Sequence, residues 1–157
     1  LYSRYMMDFS ADFTFYHFIL PNMFSEDDLK PGTRLVPYTL QYLQDYNAGK
    51  NVQVPSFSAG LQARPIISVE EMIRTVDKAV CKYIVSDVYN MGGGEFLSIR
   101  HLIERLFAIY NVPCKDEFFG QEIRRDGDIK SLRIDGSKLM NELGALPNSK
   151  IEDIFKI

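Results

Sequence analysis

The stretch Ala63-Arg64-Pro65-Ile66-Ile67-Ser68-Val69-Glu70-Glu71-Met72-Ile73 contains the end of an apolar segment and the start of an amphipathic one. Its apolar part predicts a short strand over residues 64–67. Ser68 and Glu71 have the spacing of a capping box, the pattern of a helix N-terminus. A helix is therefore predicted over 69–83, and a strand that leads into a helix indicates an α/β protein. The apolar face of this helix would comprise Met72, Ile73, Val76, Val80 and Tyr83.

A second strand and a second helix follow, separated by three glycines. Residues 85–91 predict a strand, and Gly92-Gly93-Gly94 predicts a sharp turn before the helix. Backbone N–H groups at such a turn can bind phosphate. However, the sequence has neither a following Gly-Lys-Ser/Thr nor a spaced Gly-x-Gly-x-x-Gly with a downstream acid. A structural turn is therefore favoured over a dinucleotide site. The helix is predicted from the spacing of Ile99, Leu102, Ile103, Leu106 and Ile109.

The chain before residue 60 contains one strand and one helix with clear patterns. Residues 14–20 are aromatic, β-branched and almost all apolar, which predicts a strand buried on both faces of a parallel sheet. Residues 21–32 hold two prolines, a glycine and an acidic run, and predict a loop. Residues 35–48 have helical spacing, and Gly49 follows where a left-handed C-cap is favoured. Weaker patterns predict a short strand over 52–54 and a flexible turn over 56–60.

The two ends of the chain have weaker patterns. Residues 1–12 are consistent with the last turns of a helix that begins upstream, so we expect a fragment of a longer protein. Residues 128–134 are predicted to be extended. Asp135 is placed to cap a short helix that ends at Gly144, and Ser149 with Glu152 would open a last helix.

The composition is that of an ordinary globular protein. The chain has 157 residues and 18.1 kDa, with 46% hydrophobic and 25% charged residues, which fits one compact unit over residues 1–157. A net charge of −3 without a basic run argues against nucleic acid as a partner. No apolar run approaches the ~18 residues of a membrane span. Cys81 and Cys114 lack metal-ligand spacing, and we interpret both as small buried apolar residues of a soluble cytoplasmic protein.

Residue spacing alone identifies no catalytic set. No Ser, Cys or acid pairs with His17 or His101, which we interpret as a core or edge histidine and a surface histidine. The acidic run 26–28 is interpreted as a solvated cap. Arg64 precedes a predicted strand and Arg125 an Asp-Gly-Asp turn, and guanidinium groups bind phosphate bidentately. Taken alone, each arginine is more often a surface charge.

Six short motifs follow one another in a recognisable order. They are Pro21-Asn22-Met23-Phe24-Ser25, Leu35-Val36-Pro37 with Asn47-Ala48-Gly49-Lys50, residues 60–71, Tyr89-Asn90-Met91-Gly92-Gly93-Gly94, Arg125-Asp126-Gly127-Asp128, and residues 135–144 with Pro147. From about residue 14 to the C-terminus, this order and spacing resemble the C-terminal half of the extended short-chain dehydrogenase/reductases. Within them, the motifs resemble the NAD-dependent epimerase/dehydratase family of nucleotide-sugar enzymes.

The resemblance implies a fold and a role. The fold is α/β, the C-terminal part of a Rossmann-like extended short-chain dehydrogenase, with the last strands of the sheet and a small mixed substrate-binding lobe. The role is the substrate-binding portion of an NAD(P)-dependent nucleotide-sugar epimerase, dehydratase or reductase. The family's cofactor loop and Tyr-x-x-x-Lys pair would precede Leu1. We therefore expect NAD or NADP to serve the longer protein, and this chain alone to be inactive and to bind no cofactor.

The resemblance also implies binding residues for a nucleoside-diphosphate sugar. It places Asn22, Leu35 and Val36 near the nucleotide sugar, and Arg64 and Arg125 at its diphosphate. It places Leu20 and Pro21 at the nicotinamide end of the cofactor.

Three positions depart from the family pattern and keep an alternative open. Ile19 stands where the family has Arg, Ser25 where it has Gly, and Pro65 where it has Asp. The alternative is a non-catalytic module, derived from the same fold, that binds sugar nucleotides or other proteins. In either case we expect an exposed apolar patch and a homo-oligomer, because the neighbouring strands of residues 14–20 would lie upstream.

Overall fold

The structure is a computed structural model that describes residues 14–25, 34–121 and 130–155. Within these ranges, the chain contains both strands and helices, as predicted for an α/β protein. The strands are β1 (Tyr16–Ile19), β2 (Asn22–Phe24), β3 (Ala63–Ser68), β4 (Asp87–Asn90) and β5 (Glu95–Ser98). The α-helices are α1 (Leu35–Asn47), α2 (Val69–Lys82), α3 (Ile99–Ile109), α4 (Ser137–Leu143) and α5 (Ile151–Ile154), and Asp116–Phe118 forms a 3-10 helix.

The strands form two small sheets. In the first, β1 and β4 are parallel, with Phe18 opposite Tyr89. In the second, β3 is central, with β2 parallel on one side and β5 antiparallel on the other. The predicted loop over 21–32 is wrong for Asn22–Phe24, because β3 supplies the strand partner that this segment lacks locally.

The second sheet separates two hydrophobic clusters, because successive side chains of a strand point to opposite faces. Ile66 belongs to the larger cluster, which contains Leu40 of α1 and Leu106 of α3. Ile67 belongs to the smaller cluster, which contains Tyr89 of β4 and Leu139 of α4. The sheet thereby holds the starts of α1 and α3 beside β2.

The start of α2 confirms the predicted cap, with one difference. The Glu71 N–H donates to Ser68 Oγ at 3.0 Å. The Glu71 carboxylate pairs with Arg74 instead of returning to Ser68, whose N–H donates to Ser149 Oγ at 3.0 Å. The prediction that Ser149 opens the last helix is therefore wrong. Ser149 is buried, and its hydroxyl accepts a hydrogen bond from the N–H of Ser68, the last residue of β3.

The three glycines form a turn that is filled by neighbouring backbone. A Cβ atom on Gly92 would lie 2.7 Å from the Gly136 nitrogen, and one on Gly93 would lie 2.4 Å from the Pro147 oxygen. The Gly94 N–H donates to the same Pro147 oxygen at 2.7 Å. This packing supports a structural turn rather than a phosphate loop. The turn leads into β5, where the sequence predicted that the helix would follow directly.

Strand β1 is covered on one face only. Phe18 packs against the smaller cluster, whereas His17 is exposed and Ile19 is 47% exposed. The prediction of burial on both faces is wrong for the described residues, because their helices cover only one side of this sheet. Ile19 and the neighbouring Leu20 form part of the exposed apolar surface that the sequence predicted.

The chain around α1 agrees with prediction in the helix and differs after it. α1 ends before Gly49, which has a φ of +68° as predicted. The predicted strand over residues 52–54 is wrong, because these three described residues form no strand. The predicted flexible turn over 56–60 is also wrong, because Phe57 is buried in the larger cluster and its N–H donates to the Phe118 oxygen at 2.8 Å.

The C-terminal part follows the predicted pattern in its first helix. Asp135 Oδ1 accepts hydrogen bonds from the N–H and the hydroxyl of Ser137 at the start of α4, and Gly144 ends this helix with a φ of +76°. In the described part of 128–134, Ser131 forms an isolated bridge with Ala63. The predictions for residues 1–12, the acidic run 26–28 and residues 128–129 lie outside the described residues. No helix in the described ranges is long and apolar enough to cross a membrane.

The two cysteines differ in exposure, so their predicted burial is wrong for Cys81. Cys81 is exposed on α2, whereas Cys114 is half-buried, and burial raises the pKa of the Cys114 thiol to about 11. Because the thiolate is the reactive form, we expect Cys81 to react faster with a chromogenic disulfide reagent near neutral pH. Cys81→Ser should remove the fast phase and Cys114→Ser should leave it. Equal rates at the two thiols would contradict this assignment.

Candidate functional site

A cavity of about 400 Å³ opens where β2 meets the starts of α1 and α3. Four residues that the resemblance singled out line it together: Pro21, Asn22, Leu35 and Val36. The sequence separates these residues into two motifs. The fold joins them because β2 and α1 both pack on the larger hydrophobic cluster.

The first turn of α1 brings to this cavity backbone N–H groups that have no hydrogen-bond acceptor among the described residues. The N-cap position, Arg34, has extended backbone and no side-chain cap, and Pro37 has no N–H. The Tyr38 N–H already donates to the Arg34 oxygen at 2.9 Å. No described residue accepts a hydrogen bond from the N–H of Leu35 or Val36. The first turn also has no acidic residue, so this end of the helix favours an anion.

Arg34 adds a positive side chain to the same cavity. It lines the wall near Asn22, and a guanidinium binds phosphate oxygens in pairs. The sequence does not single out Arg34, because the family-like motif begins one residue later, at Leu35. The signal that points to it is its position directly before Leu35-Val36-Pro37, where the helix start fixes its backbone.

Asn22 is placed by the sheet. It is the first residue of β2 and lies opposite Ile66 of β3. Because neighbouring residues of paired strands share a face, Asn22 lies on the same face as Ile66, toward α1 and α3. Its exposed amide can both donate and accept hydrogen bonds.

The start of α3 contributes apolar surface rather than hydrogen-bond donors. Its first N–H groups are already bonded, to the carbonyls of Gln62 and Gly60 at 2.9 Å and to the hydroxyl of Ser98 at 3.1 Å. The side chains of Ile99 and Leu102 line the cavity. The cavity therefore has a positive end at α1 and an apolar wall at α3.

Of the other predicted residues, the two that the structure describes, Arg64 and Leu20, lie outside this cavity. Arg64 lies outside the lining, and its Nη1 donates to the Ala63 carbonyl at 2.8 Å. Arg64 lies on the same face of β3 as Ile66, the residue opposite Asn22. The two residues are separated by roughly 7 Å along the strand. Leu20 is also outside the lining and is 41% exposed. Arg125 lies outside the described residues.

The described lining is suited to binding rather than to proton transfer. It contains no Asp, Glu, His, Cys, Tyr or Lys side chain that could act as a general acid or base. In the described part of the chain, no group of three or more His, Cys, Asp or Glu residues could hold a metal ion. The arrangement can hold an anion at one end and an apolar or ring-shaped group at the other.

The sequence of the chain is similar to that of one curated enzyme. No family model matches the chain. It is 24% identical over 120 residues to a dTDP-glucose 4,6-dehydratase of Streptomyces griseus. The aligned stretch covers 76% of this chain and 34% of that enzyme. The chain thus spans about a third of this relative's length.

Solved structures are similar over almost the whole chain. One is a UDP-glucose 4-epimerase from Thermotoga maritima with UDP-glucose, at a TM-score of 0.73 and 20% identity, covering 97% of this chain and 47% of that one. Another is RMD from Pseudomonas aeruginosa with NADPH, at a TM-score of 0.74 and 16% identity, covering 97% of this chain and 50% of that one. These likenesses extend over about half of each solved chain and establish the fold.

Proposed function

We propose that the chain is the substrate-binding portion of an NAD(P)-dependent nucleotide-sugar epimerase, dehydratase or reductase, the C-terminal part of an extended short-chain dehydrogenase/reductase. The proposal is supported by its similarity to a dTDP-glucose 4,6-dehydratase and by the α/β fold that it has in common with about half of a UDP-glucose 4-epimerase and of RMD. The observation that supports this most directly is the cavity in which Asn22 and Arg34 meet the N–H groups of Leu35 and Val36, which lack an acceptor among the described residues.

A nucleoside-diphosphate sugar fits the chemistry of this cavity. One phosphate would accept hydrogen bonds from the N–H groups of Leu35 and Val36 and from the Arg34 guanidinium. The Asn22 amide would bond a sugar hydroxyl. The ring of Phe24, which also lines the cavity, offers apolar surface to the sugar or the base.

Arg64 and Arg125 extend this proposal beyond the cavity. Arg64 lies on the same face of the second sheet as Asn22, so a diphosphate bound at α1 would run toward it along the strand. We propose that Arg64 and Arg125 bind the far phosphate, because guanidinium groups bind phosphate oxygens in pairs.

The cofactor of the longer protein is proposed to be NAD or NADP. The solved structure of RMD contains NADPH. In this chain, Leu20 and Pro21 would lie at the nicotinamide end, and the turn at Gly92–Gly94 is filled by backbone and leaves no room for a phosphate. The cofactor would supply hydride transfer, and the described cavity would supply binding and orientation.

A homo-oligomer is part of the same proposal. Ile19, the last residue of β1, is 47% exposed and the following Leu20 is 41% exposed, and the described neighbour of β1, which is β4, lies on one side only. Contact between copies at this surface would cover both side chains.

The non-catalytic alternative would use the same cavity. It differs only in whether the longer protein has a cofactor loop and a Tyr-x-x-x-Lys pair. Chromatographic analysis of the nucleotide sugars after incubation with the longer protein and NAD(P) distinguishes the two, because epimerisation and dehydration return the hydride to the sugar and leave no net change in the cofactor. Turnover supports the enzyme, and binding without turnover supports the module.

Arg34→Ala is expected to weaken the binding of UDP and dTDP by about tenfold to a hundredfold. A hydrogen bond to a charged group contributes about 1.5–3 kcal/mol, which corresponds to this range. Isothermal titration calorimetry of the wild type and of Arg34→Ala with each nucleotide measures the effect. Asn22→Ala should weaken the binding of a UDP-sugar more than the binding of UDP, because the amide is proposed to contact the sugar.

Arg74→Ala is the matched control for Arg34→Ala. Arg74 is an exposed arginine on α2 that pairs with Glu71 at 2.6 Å, away from the cavity. It should leave nucleotide affinity unchanged, and thermal melts of both variants should stay close to wild type. If Arg34→Ala binds both nucleotides like wild type, the α1 end of the cavity is not a phosphate site.

A further inference from the structure

Helix α2 has a second apolar stripe besides the one that it buries. Apolar residues recur at alternating intervals of four and three residues, at Val69, Ile73, Val76, Val80 and Tyr83. This spacing is the heptad pattern by which one helix packs along another. The first four lie in α2, and Tyr83 is the left-handed C-cap that directly follows it. These five residues are called the α2 seam below.

The core of the protein leaves three of the five residues of the α2 seam exposed. The buried residues of α2 are Thr75 and Ala79, and Val76 of the seam packs against the smaller hydrophobic cluster. Of the seam residues, Ile73 is 56% exposed, Val80 50% and Tyr83 84%. The core therefore covers only part of the predicted apolar face of this helix. The exposed part, formed by Ile73, Val80 and Tyr83, has no partner among the described residues.

The charges beside the α2 seam are acidic. Glu70 and Asp77 follow Val69 and Val76, at the heptad position that borders a seam and sets the choice of partner helix. Both side chains are exposed, and neither forms an ion pair with a described residue. The nearby Arg74 is already paired with Glu71.

These charges disfavour a second copy of the chain as the occupant. Two α2 helices packed antiparallel would bring Glu70 and Asp77 of each copy against those of the other, and like charges at this position repel. An anionic lipid surface is disfavoured for the same reason. Charge complementarity instead favours a helix with positive side chains beside its own apolar stripe.

We propose that the α2 seam is the docking face for an amphipathic helix of a partner protein, whose heptad stripe is bordered by Lys or Arg. The apolar stripe would cover Ile73, Val80 and Tyr83. The basic border would pair with Glu70 and Asp77. The proposal does not depend on nucleotide binding, because the seam residues do not line the cavity between β2, α1 and α3.

Two synthetic helical peptides of about 21 residues, three heptads, test this. Both have Leu along the seam, and the bordering positions are Lys in one and Glu in the other. Fluorescence anisotropy should show that the Lys peptide binds at least tenfold more tightly than the Glu peptide. Hydrogen exchange should show that it protects residues 69–83.

Three variants of the chain complete the test. Val80→Asp should abolish binding of the Lys peptide, whereas Lys78→Asp, on the opposite exposed side of α2, should retain it. The double variant Glu70→Lys with Asp77→Lys should reverse the preference in favour of the Glu peptide. This reversal keeps the test valid even if Val80→Asp fails to fold.

Several outcomes would overturn the proposal. They are binding of neither peptide, equal binding of both, and Lys-peptide binding that survives Val80→Asp in a folded variant. A concentration-dependent dimer that Val80→Asp dissociates would assign the α2 seam to a second copy instead. UDP titration of the same samples reports separately on the nucleotide cavity.

Discussion

Gly94→Ala is expected to unfold the protein, or to lower its free energy of unfolding by about 4 kcal/mol or more, a loss typical of a severe core defect. A Cβ atom on Gly94 would lie 2.0 Å from the Ile66 oxygen and 2.5 Å from Ile67 Cγ2. Moving either atom would disturb the packing of the two hydrophobic clusters, because both atoms belong to the central strand between them. Urea denaturation and the soluble yield of the variant measure the effect.

Gly49→Ala is the control that separates crowding from backbone strain. Gly49 has a φ of +68° and Gly94 one of +71°, but a Cβ atom on Gly49 would meet nothing within 4 Å. Gly49→Ala should therefore cost only the strain of a left-handed backbone, about 1–2 kcal/mol. If the two variants unfold at the same urea concentration, the close approach of Gly94 to β3 does not contribute to stability.

Phe107→Ala is expected to lower the free energy of unfolding by about 3–5 kcal/mol, the usual cost of removing a buried phenyl ring. Phe107 has no exposed surface, and its ring lies 5.8 Å from that of Tyr42 and 5.9 Å from that of Phe118. It thus links α3 to α1 and to the 3-10 helix. Because α1 and α3 form two sides of the cavity, UDP affinity should fall as well.

Two controls accompany Phe107→Ala. Phe107→Leu keeps most of the buried volume and should cost less than about 1.5 kcal/mol. Tyr46→Ala removes a ring that is 45% exposed and lies 6.0 Å from that of Tyr42, and it should cost about 1 kcal/mol or less. Thermal and urea melts rank the three variants. A Phe107→Ala protein as stable as the Tyr46→Ala protein would contradict the role of Phe107 as the link.

The family-like motifs contain four residues of the cavity lining. Asn22, Leu35 and Val36 were predicted as substrate residues and Pro21 as a cofactor residue, and the fold brings all four to one cavity. Arg34 was missed because an arginine before a helix has no pattern of its own. Its proposed role depends on which helix start faces the cavity and on which N–H groups lack an acceptor among the described residues, and neither can be read from local spacing.

The sequence by itself determined the local elements whose signals are short-range. Ser68 caps α2, Gly49 ends α1 and Gly144 ends α4, because hydrogen bonds and backbone angles at helix ends involve residues only a few positions apart. Only the tertiary structure decided the pairing of Asn22–Phe24 with β3, the burial of Phe57 and Ser149, and the exposure of Cys81 and of the α2 seam. Each of these depends on a partner that is distant in the chain or missing from the described residues, and local patterns carry no information about such partners.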